Sequence, residues 1–184
     1  LTVVDIFSNT NQNILVLDVK TNECINATPH EDEVIFFPGP WAPDGSGFYI
    51  VSNAGREFTG LAFYRLADQK WDWSETADDD IEGVEVSRDG RVLVWAANVG
   101  GATKLFGRNL QTGETLHLPD LPLGVMGGME VSPDGSRLAL IYTTPAAASC
   151  LYELDLETGN MQMLGQSMLG GIDPDDMQIG RAHV

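Results

Sequence analysis

The residues that build metal sites and disulfide frameworks are scarce in this sequence. Its 184 residues include two cysteines, Cys24 and Cys150, and three histidines, His30, His117 and His183. The cysteines stand far apart without C-x-x-C spacing, which excludes a disulfide framework and a zinc motif. The histidines do not cluster along the chain. We therefore expect no metal site and no cofactor.

Positive charge and long apolar runs are also scarce. Ten Lys and Arg residues stand against 27 Asp and Glu, a formal net charge of −17. A chain this acidic is repelled by phosphate backbones and anionic lipid, which excludes nucleic acid and membrane surfaces as partners. No apolar run approaches the roughly 20 residues of a membrane helix. The hydrophobic residues, which make up 43% of the sequence, are instead spread along the chain, as in a globular domain.

No stretch keeps the apolar period of about 3.6 residues that marks a helix, which excludes helical repeats. What recurs is an Asp-Gly pair followed by apolar residues. It occurs in three segments, APDGSGFYIV at 42–51, VSRDGRVLVW at 86–95 and VSPDGSRLAL at 131–140. Asp44, Asp89 and Asp134 follow one another at a spacing of 45 residues. A repeat of this length indicates an array of identical supersecondary units.

The last unit shows the pattern of its strands most clearly. Four short segments alternate or concentrate apolar residues as strands do, at 128–131, 137–143, 150–156 and 161–164. Between the first two, Pro133 presets φ, Asp134 bonds the local backbone and Gly135 accepts a positive φ, which predicts a tight turn. The other two Asp-Gly pairs are expected to form the same turn, although Arg88 replaces proline in the middle one.

A second recurring motif, four residues long, follows each Asp-Gly turn and predicts an outer hairpin. It reads LQTG at 110–113 and LETG at 156–159, with the variants ADQK at 67–70 and VKTN at 19–22. In ADQK, Lys70 takes the place of the glycine. The two motifs together give three complete units and one truncated unit. Four short antiparallel strands in about 45 residues are typical of one blade of a β-propeller.

The sequence therefore predicts an all-β fold, a β-propeller fragment of about four blades with four antiparallel strands each, built from PD40/TolB-like repeats. The blades are expected at about residues 1–31 (truncated), 34–76, 81–120 and 126–166, with an exit linker at 167–178. Residues 179–184, IGRAHV, resemble a translated sequencing adapter and are expected to be non-native. We expect the chain to be a fragment cut at both ends.

Four phrases in the sequence are not part of the repeat. They are NAGREFTGL at 53–61, DIEG at 80–83, LPLGV at 121–125 with Gly127 and Gly128 after it, and GIDP at 171–174. They resemble Gly-x-Glu-Phe-x-x-Leu, Asp-Val-Glu-Gly, Leu-Pro-x-Gly-Val and Gly-Leu-Asp-Pro, stretches in the propellers of the prolyl oligopeptidase family of serine peptidases. They fall in the same order and cover roughly residues 25–178, and they resemble acylaminoacyl-peptidase-like members in particular.

This resemblance implies an N-terminal propeller followed by an α/β-hydrolase domain that cleaves short peptides with a Ser–Asp–His triad. The parent protein is then an enzyme, and the propeller gates the access of substrate. The implied partners are the chain's own missing hydrolase domain and a peptide substrate, and the implied location is cytoplasmic. Because the chain ends at the exit phrase, we expect no catalytic residue within it.

Glu57 is the candidate for a substrate or structural contact, since it is an acid inside a family-like phrase. An acid among apolar residues must find partners, so a hydrogen bond within the blade is the alternative to a substrate contact. Ser167 lies in GQSMLG at 165–170, which is one residue longer than G-x-S-x-G and has no helix after it. Asp78–Asp80 lack the ligand spacing of a calcium loop. The four tryptophans are expected to pack within blades.

Two other functions compete with the peptidase hypothesis. A TolB-like propeller that acts as a non-catalytic protein-binding scaffold explains the Asp-Gly turns, but it leaves the Glu-Phe and Leu-Pro-x-Gly-Val phrases without a role. A propeller enzyme with its site in the channel, such as a lactonase, needs metal ligands that converge from several blades. The sequence offers no such set of His, Asp and Glu.

Residues 1–178 produced alone are expected to be poorly soluble or partly unfolded. A blade buries its faces only against neighbouring blades, so a cut arc exposes blade faces and unpaired strand edges. Thermal unfolding followed by circular dichroism, with the molecular mass measured by light scattering, tests this expectation. A sharp, cooperative transition of a monomer would contradict it.

Overall fold

The structure is a computed structural model that describes residues 1–145, 147–168 and 170–173. The chain divides into two compact units, Leu1–Val86 and Ser87–Val184. Its described residues form β-strands and no helix, so none of them belongs to a helix that is able to cross a membrane. The part of the expected linker beyond residue 173 and the tail at 179–184 lie outside the described residues.

The first unit contains eight strands, which begin and end close to turn-forming residues. They are β1 (Thr2–Ser8), β2 (Asn11–Leu17), β3 (Cys24–Asn26), β4 (Phe36–Trp41), β5 (Gly47–Ser52), β6 (Gly60–Arg65), β7 (Lys70–Glu75) and β8 (Asp80–Val86). The longer ones are rich in the β-branched and aromatic residues that fit a pleated sheet.

The described part of the second unit contains six strands. They are β9 (Val92–Val99), β10 (Ala102–Asn109), β11 (Val125–Val131), β12 (Arg137–Thr144), β13 (Ala147–Asp155) and β14 (Met161–Gln166). The last four agree with the strands that the sequence predicts for the final repeat. They form the sheet in the order β11-β12-β13-β14, with Leu138 paired to Val131 on one side and to Leu154 on the other.

Each of the four sheets is an antiparallel meander. The strand orders are β1-β2-β3, β4-β5-β6-β7, β10-β9-β8 and β11-β12-β13-β14. Strands that follow one another along the chain are therefore neighbours in the sheet. This arrangement confirms the prediction of an all-β fold of short antiparallel strands in four sheets.

Two sheets have three strands where the repeat predicts four. In the β10-β9-β8 sheet the outer strand is reduced to a bridge between Arg108 and Thr115, next to a hydrogen bond from the Leu116 N–H to the Gly107 carbonyl (2.8 Å). Pro119 follows shortly and has no N–H to extend the ladder. The other is the β1-β2-β3 sheet, in the unit that was expected to be truncated.

The Asp-Gly turns have the geometry that their residues predict. The glycine of each turn has a positive φ, 72° at Gly45, 72° at Gly90 and 69° at Gly135. Each glycine N–H donates to the carbonyl three residues earlier at 2.9 Å. Each aspartate accepts a hydrogen bond from the backbone N–H two residues later, at 2.9 to 3.1 Å. The aspartates thus serve backbone geometry.

The middle turn lacks the proline and is held by side-chain hydrogen bonds. The Ser87 hydroxyl donates to Asp89 (2.6 Å) and accepts from the Val92 N–H (2.9 Å), and the Arg91 Nε donates to Asp89 (2.6 Å). Hydrogen bonds from Ser87 and then Arg91 lower the pKa of Asp89 from 3.8 to about 2. The turn that contains Pro133 has the same serine-to-aspartate and N–H-to-serine hydrogen bonds, so they form with or without the proline.

The outer turns depend on an Asp or Asn that the sequence analysis missed. Asp18, Asn109 and Asp155 each accept hydrogen bonds from the N–H groups two and three residues later. This is an Asx turn, and the positive φ follows at Asn22, Gly113 and Gly159.

The turn before β7 corrects the sequence interpretation. There the positive φ belongs to Gln69 (55°), whereas Lys70 is already the first residue of β7. The backbone hydrogen bonds place Leu66 at the position of Leu110, so this turn has the same length as LQTG. The equivalent of the glycine is therefore Gln69 and not Lys70.

The core of the first unit lies between its first two sheets. Ile14 of β2 packs there with Phe36, Phe48, Ile50 and Tyr64 of the second sheet, all at most 2% exposed. Trp41, Trp71 and Trp73 pack against the same cluster. The prediction that these tryptophans serve packing is confirmed.

The core of the second unit lies between β9 and β12. Val94 and Ala96 of β9 form one buried cluster with Leu138, Leu140 and Tyr142 of β12. The remaining tryptophan, at position 95, is 8% exposed and stacks on the ring of residue 106 with centroids 5.8 Å apart. It too is a packing residue.

Two turn aspartates are expected to make stability depend on pH. Hydrogen bonds from Ser132 and then Ser136 lower the pKa of Asp134 from 3.8 to about 2, as at Asp89. A lowered carboxyl pKa contributes stability that is present above the unfolded pKa and is lost as the pH falls through the folded pKa. The urea midpoint should therefore fall between about pH 4 and pH 2.

The variant Asp89→Asn with Asp134→Asn tests this, because asparagine keeps the turn but does not titrate. Its urea midpoint should change less over this pH range than that of the parent chain. Asp120→Asn, at an exposed position outside the turns, is the control and should follow the parent. Parallel curves for all three proteins would refute the assignment.

Candidate functional site

Two loops of the first unit contain phrases that resemble the peptidase family, and these loops meet. One loop joins β5 to β6 and lies within the phrase at 53–61. The other joins β7 to β8 and leads into the phrase at 80–83. We call residues 53–60 and 76–83 the loop cluster. The sequence suggested a resemblance for each phrase but no contact between them.

Thr59 and Asp80 join the two loops. The Thr59 N–H donates to Asp80 Oδ1 at 2.8 Å, and the Thr59 hydroxyl lies 3.2 Å from the same oxygen. That hydroxyl also donates to the Ile81 carbonyl at 2.8 Å, while the Ile81 N–H donates back to the Thr59 carbonyl at 3.3 Å. The carboxylate of Asp80 is therefore committed to holding the loop before β6.

Arg56 makes a second connection between the loops. Its Nη2 donates to the Ala77 carbonyl at 2.6 Å and its Nε to the Phe58 carbonyl at 3.3 Å. Its guanidinium carbon lies 5.5 Å from the centre of a Trp73 ring, within the range of a cation–π interaction. A Cβ on Gly60 would lie 3.0 Å from the indole, so the glycine leaves room for this ring.

The start of the first loop is fixed by its own backbone and by Asn53. The Asn53 side chain accepts from the Ile35 N–H at 2.9 Å, and its carbonyl accepts from the Arg56 N–H at 2.9 Å. Gly55, with φ 66°, provides the left-handed residue between them. The phrase NAGR is thus a closed turn attached to the strand that precedes β5.

Glu57, the candidate acid, is exposed in the middle of this loop. The hydrogen bonds that hold the loop are made by Arg56 and Thr59, and no described residue donates one to the Glu57 carboxylate. The structural role that the sequence allowed for Glu57 is thus filled by its neighbours. A contact between Glu57 and a substrate stays a prediction.

The acidic run at 78–80 divides into different roles. Asp78 is exposed, Asp79 is half-buried and Asp80 belongs to the loop cluster. Within the described part of the chain, no group of three or more His, Cys, Asp and Glu side chains comes together as a metal site. The contact of Asp80 with Thr59 was not predicted from the sequence, although the place of Asp80 in DIEG was a signal.

The third family-like phrase, at 121–125, is anchored within the second unit. The Tyr142 hydroxyl donates to the Pro122 carbonyl at 2.6 Å, and the Thr103 N–H donates to the Gly124 carbonyl at 2.9 Å. A Cβ on Gly124 would overlap the Thr143 carbonyl. Burial raises the pKa of the Tyr142 phenol. These contacts give the phrase a structural role.

The remaining candidates show no arrangement for catalysis in the part of the chain that the structure describes. The Ser167 hydroxyl donates to the Ser149 carbonyl at 2.5 Å, just after β14 ends. His30 contacts the Thr28 carbonyl (2.8 Å) and Asn11 (3.2 Å) instead of a nucleophile. Leu169 of the serine phrase, Pro174 of the exit phrase and His183 lie outside the described residues.

The hydrogen bonds of the loop cluster hold its two loops together, and we call this arrangement the brace. Its cation is bound to two carbonyls and an indole, and its carboxylate is bound to a threonine. Groups held in this way orient loops and do not transfer protons or attack substrates. Glu57 lies between them in the sequence, with its side chain exposed.

Comparisons with known proteins give the fold. The sequence matches no protein-family model and no curated protein. Among solved structures, TolB from Acinetobacter baumannii matches with a TM-score of 0.68 and 16% identity, over 91% of this chain and 41% of that chain. One of two prolyl endopeptidases matches with a TM-score of 0.73 and 12% identity, over 95% and 25%. A puromycin-hydrolyzing peptidase from Mycobacterium tuberculosis matches with a TM-score of 0.70 and 13% identity, over 94% of this chain and 27% of that chain.

At these identities the similarity shows the fold alone, and the fold is a propeller. Peptidase propeller domains and TolB propellers are both among the similar structures. This chain spans between about a quarter and two fifths of the length of the structures described above. The prediction of an all-β propeller is confirmed.

Proposed function

We propose that this chain is the propeller portion of a serine peptidase of the prolyl oligopeptidase family that hydrolyses short peptides. In this role the propeller limits which substrates reach the active site and docks an α/β-hydrolase domain. The Ser–Asp–His triad belongs to that domain, so the proposal assigns no catalytic residue to the chain.

The observation that carries the proposal is the contact between the phrases at 53–61 and 80–83. Each resembles the same family, and Thr59 and Asp80 connect them through hydrogen bonds. Their contact favours interpreting them as one structural unit instead of two unrelated matches. The phrase at 121–125 adds to this support because Tyr142 fixes its backbone.

A TolB-like propeller that acts as a non-catalytic protein-binding scaffold is the second candidate. The TolB structure matches this chain with a TM-score of 0.68, close to the 0.73 of the prolyl endopeptidase. This candidate accounts for the Asp-Gly turns equally well. It gives no reason for the braced loops at 53–61 and 80–83, which is why we place it second.

The nucleotide sequence that follows the exit phrase, together with a peptidase assay of the complete gene product, tests the proposal. The reading frame should encode a G-x-S-x-G serine, then an aspartate and then a histidine. The product should hydrolyse short peptide substrates and lose this activity after labelling with a fluorophosphonate. A frame that ends or adds only blades, in a product without peptidase activity, would overturn it.

Asp80→Ala is expected to lower the free energy of unfolding by about 1 kcal/mol, because the Thr59 N–H loses its charged acceptor. Asp78→Ala is the matched control, two residues away and exposed, and should change stability by less than about 0.5 kcal/mol. Urea unfolding of the complete gene product measures both. Equal losses for the two variants would contradict the role of Asp80 as a brace.

The same variants separate the brace from a substrate contact. Asp78→Ala should leave kcat/KM per folded molecule unchanged, since Asp78 is exposed and the Thr59 N–H bonds to Asp80 instead. Glu57→Gln should raise KM for short peptides at unchanged stability, because its carboxylate is exposed on the loop that Asp80 holds. An unchanged KM in Glu57→Gln would remove Glu57 as a site residue.

A further inference from the structure

The Asp-Gly turns contain a pair of residues that is able to react with itself. In such a pair the main-chain nitrogen of the glycine can attack Cγ of the aspartate, because glycine has no side chain to obstruct the approach. The chain contains this pair at 44–45, 89–90 and 134–135, and it contains no Asn-Gly pair. The turns share one backbone geometry, so their side-chain contacts decide which pair reacts first.

The reaction passes through a cyclic imide and exchanges only protons and water with the solvent. The glycine nitrogen gives its proton to a base and forms a bond to Cγ, and the protonated carboxyl group leaves as water, which closes a succinimide ring. Water then adds to the ring. Addition at the main-chain carbonyl leaves the chain linked through Cγ as isoaspartate, whereas addition at Cγ restores aspartate. An accessible glycine N–H, a carboxyl group that protonates and a peptide plane that rotates all favour the reaction.

The serine that precedes the aspartate in two of the turns is missing from the first turn. In the middle turn the Ser87 hydroxyl donates to Asp89 at 2.6 Å, and in the last turn the Ser132 hydroxyl donates to Asp134 at 2.7 Å. Ala42 stands at the equivalent position of the first turn. The carboxylate of the first turn therefore lacks one of the hydrogen bonds that the other two have.

The residue two positions after the aspartate adds a second partner in the middle and last turns. There Arg91 Nε donates to the first carboxylate at 2.6 Å, and the Ser136 hydroxyl donates to the second at 2.8 Å. In the first turn the N–H and then the hydroxyl of Ser46 lower the pKa of Asp44. Hydrogen bonds that favour the carboxylate slow the reaction, because the protonated form has to lose water. The first carboxylate has fewer of them.

Arg91 also fixes the reacting peptide bond of the last turn. Its Nη2 donates at 2.9 Å to the carbonyl of Asp134, which belongs to the peptide whose nitrogen has to attack. Rotation of this peptide plane would break the hydrogen bond. The residue that corresponds to Arg91 relative to Asp44 is Leu1, two repeats earlier, and its side chain has no donor.

The glycines of the turns differ in burial in the same order. Gly45 is exposed, Gly90 is half-buried and Gly135 is buried. A Cβ on Gly45 would meet no atom within 4 Å, whereas one on Gly135 would lie 3.0 Å from Val92 and 3.1 Å from Ser87. Access for the base and room for the chain to move are therefore greatest at Gly45.

We propose that Asp44 is the site at which this chain converts aspartate to isoaspartate, ahead of Asp89 and Asp134. The product has one additional main-chain atom in the turn before β5. This atom has to be accommodated where the Ala42 N–H donates to the carbonyl of Gly47 at 2.9 Å. Because all six residues of β5 are buried, the modification disturbs the start of a core strand.

Ageing of the complete gene product in heavy-oxygen water at neutral pH tests the site. Each passage through the succinimide incorporates a heavy oxygen atom, which peptide mapping by mass spectrometry locates, and an isoaspartyl methyltransferase labels the product. The peptide with 44–45 should convert roughly tenfold faster than the peptide with 134–135, which corresponds to about 1.4 kcal/mol in the barrier. Equal rates, or faster conversion at Asp89 or Asp134, would overturn the proposal.

The same experiment in concentrated urea is the control for local sequence. Without the turns the three pairs should convert at similar rates, because each has glycine after the aspartate. A preference for Asp44 that persists in urea would show that its neighbours in sequence, and not the folded turn, cause it. That result would also overturn the proposal.

A reciprocal pair of variants tests the hydrogen bond from the serine. Ala42→Ser supplies the missing hydroxyl before the same Pro-Asp-Gly sequence that follows Ser132, and should slow conversion at Asp44 roughly fivefold. Ser132→Ala should speed conversion at Asp134 by a similar factor. Each variant should leave the other turn unchanged. Ala42→Ser removes no contact, so it stays informative if Ser132→Ala does not fold. An unchanged rate at Asp44 in Ala42→Ser would contradict the proposal.

Hydrogen exchange of the aged protein measures the effect on β5. The peptide that covers β5 should divide into two populations, with the faster one in proportion to the isoaspartate content. The peptide that covers β12 is the control and should stay unchanged. A single population for β5 after extensive conversion would contradict the proposed disturbance. Because no readout uses peptidase activity, this proposal and the proposed function can fail separately.

Discussion

The fold depends on one constraint, which is that a sheet of short strands buries its two faces only against neighbouring sheets. Each of the first six residues of β5 and of β9 is buried. Their sequences, GFYIVS and VLVWAA, are accordingly almost continuous in apolar residues. In β12 buried and exposed residues alternate, and its sequence RLALIY begins with an arginine. The share of apolar residues in these strands thus follows the burial of their two faces.

The Asp-Gly turns fix the register of the strands that pack in this way. An Asp-Gly turn fixes where the second strand of a repeat begins. A shift of one residue would therefore move every side chain of that strand to the opposite face of the sheet. The carboxylates that fix the turns lie at the surface, yet the hydrogen bonds to them hold the pKa of Asp89 and Asp134 at about 2. Small polar contacts at the rim therefore decide which side chains enter the core.

The sequence was sufficient for the parts of the structure that repeat. A spacing of 45 residues, turn chemistry and strand alternation predicted the sheets and the packing of Trp71 and Trp73. It was insufficient where a turn lacks its glycine, as at Gln69, or where a strand is reduced to the bridge between Arg108 and Thr115. The link from Thr59 to Asp80 was also missed. Such links join residues 21 positions apart, and no periodicity marks them.

The difference between repeated and unrepeated residues also matters for function. A propeller hosts many functions, so the fold does not select among them. Residues on the repeated positions are occupied by burial or by turn geometry and are not free to recognise a ligand. Arg56, Thr59 and Asp80 lie outside the repeat, but their polar groups are bound to one another's loops. What remains for recognition is a polar side chain on a fixed loop that neither core nor brace uses. In the loop cluster Glu57 meets this condition, because its backbone is held on both sides while its carboxylate is exposed to solvent.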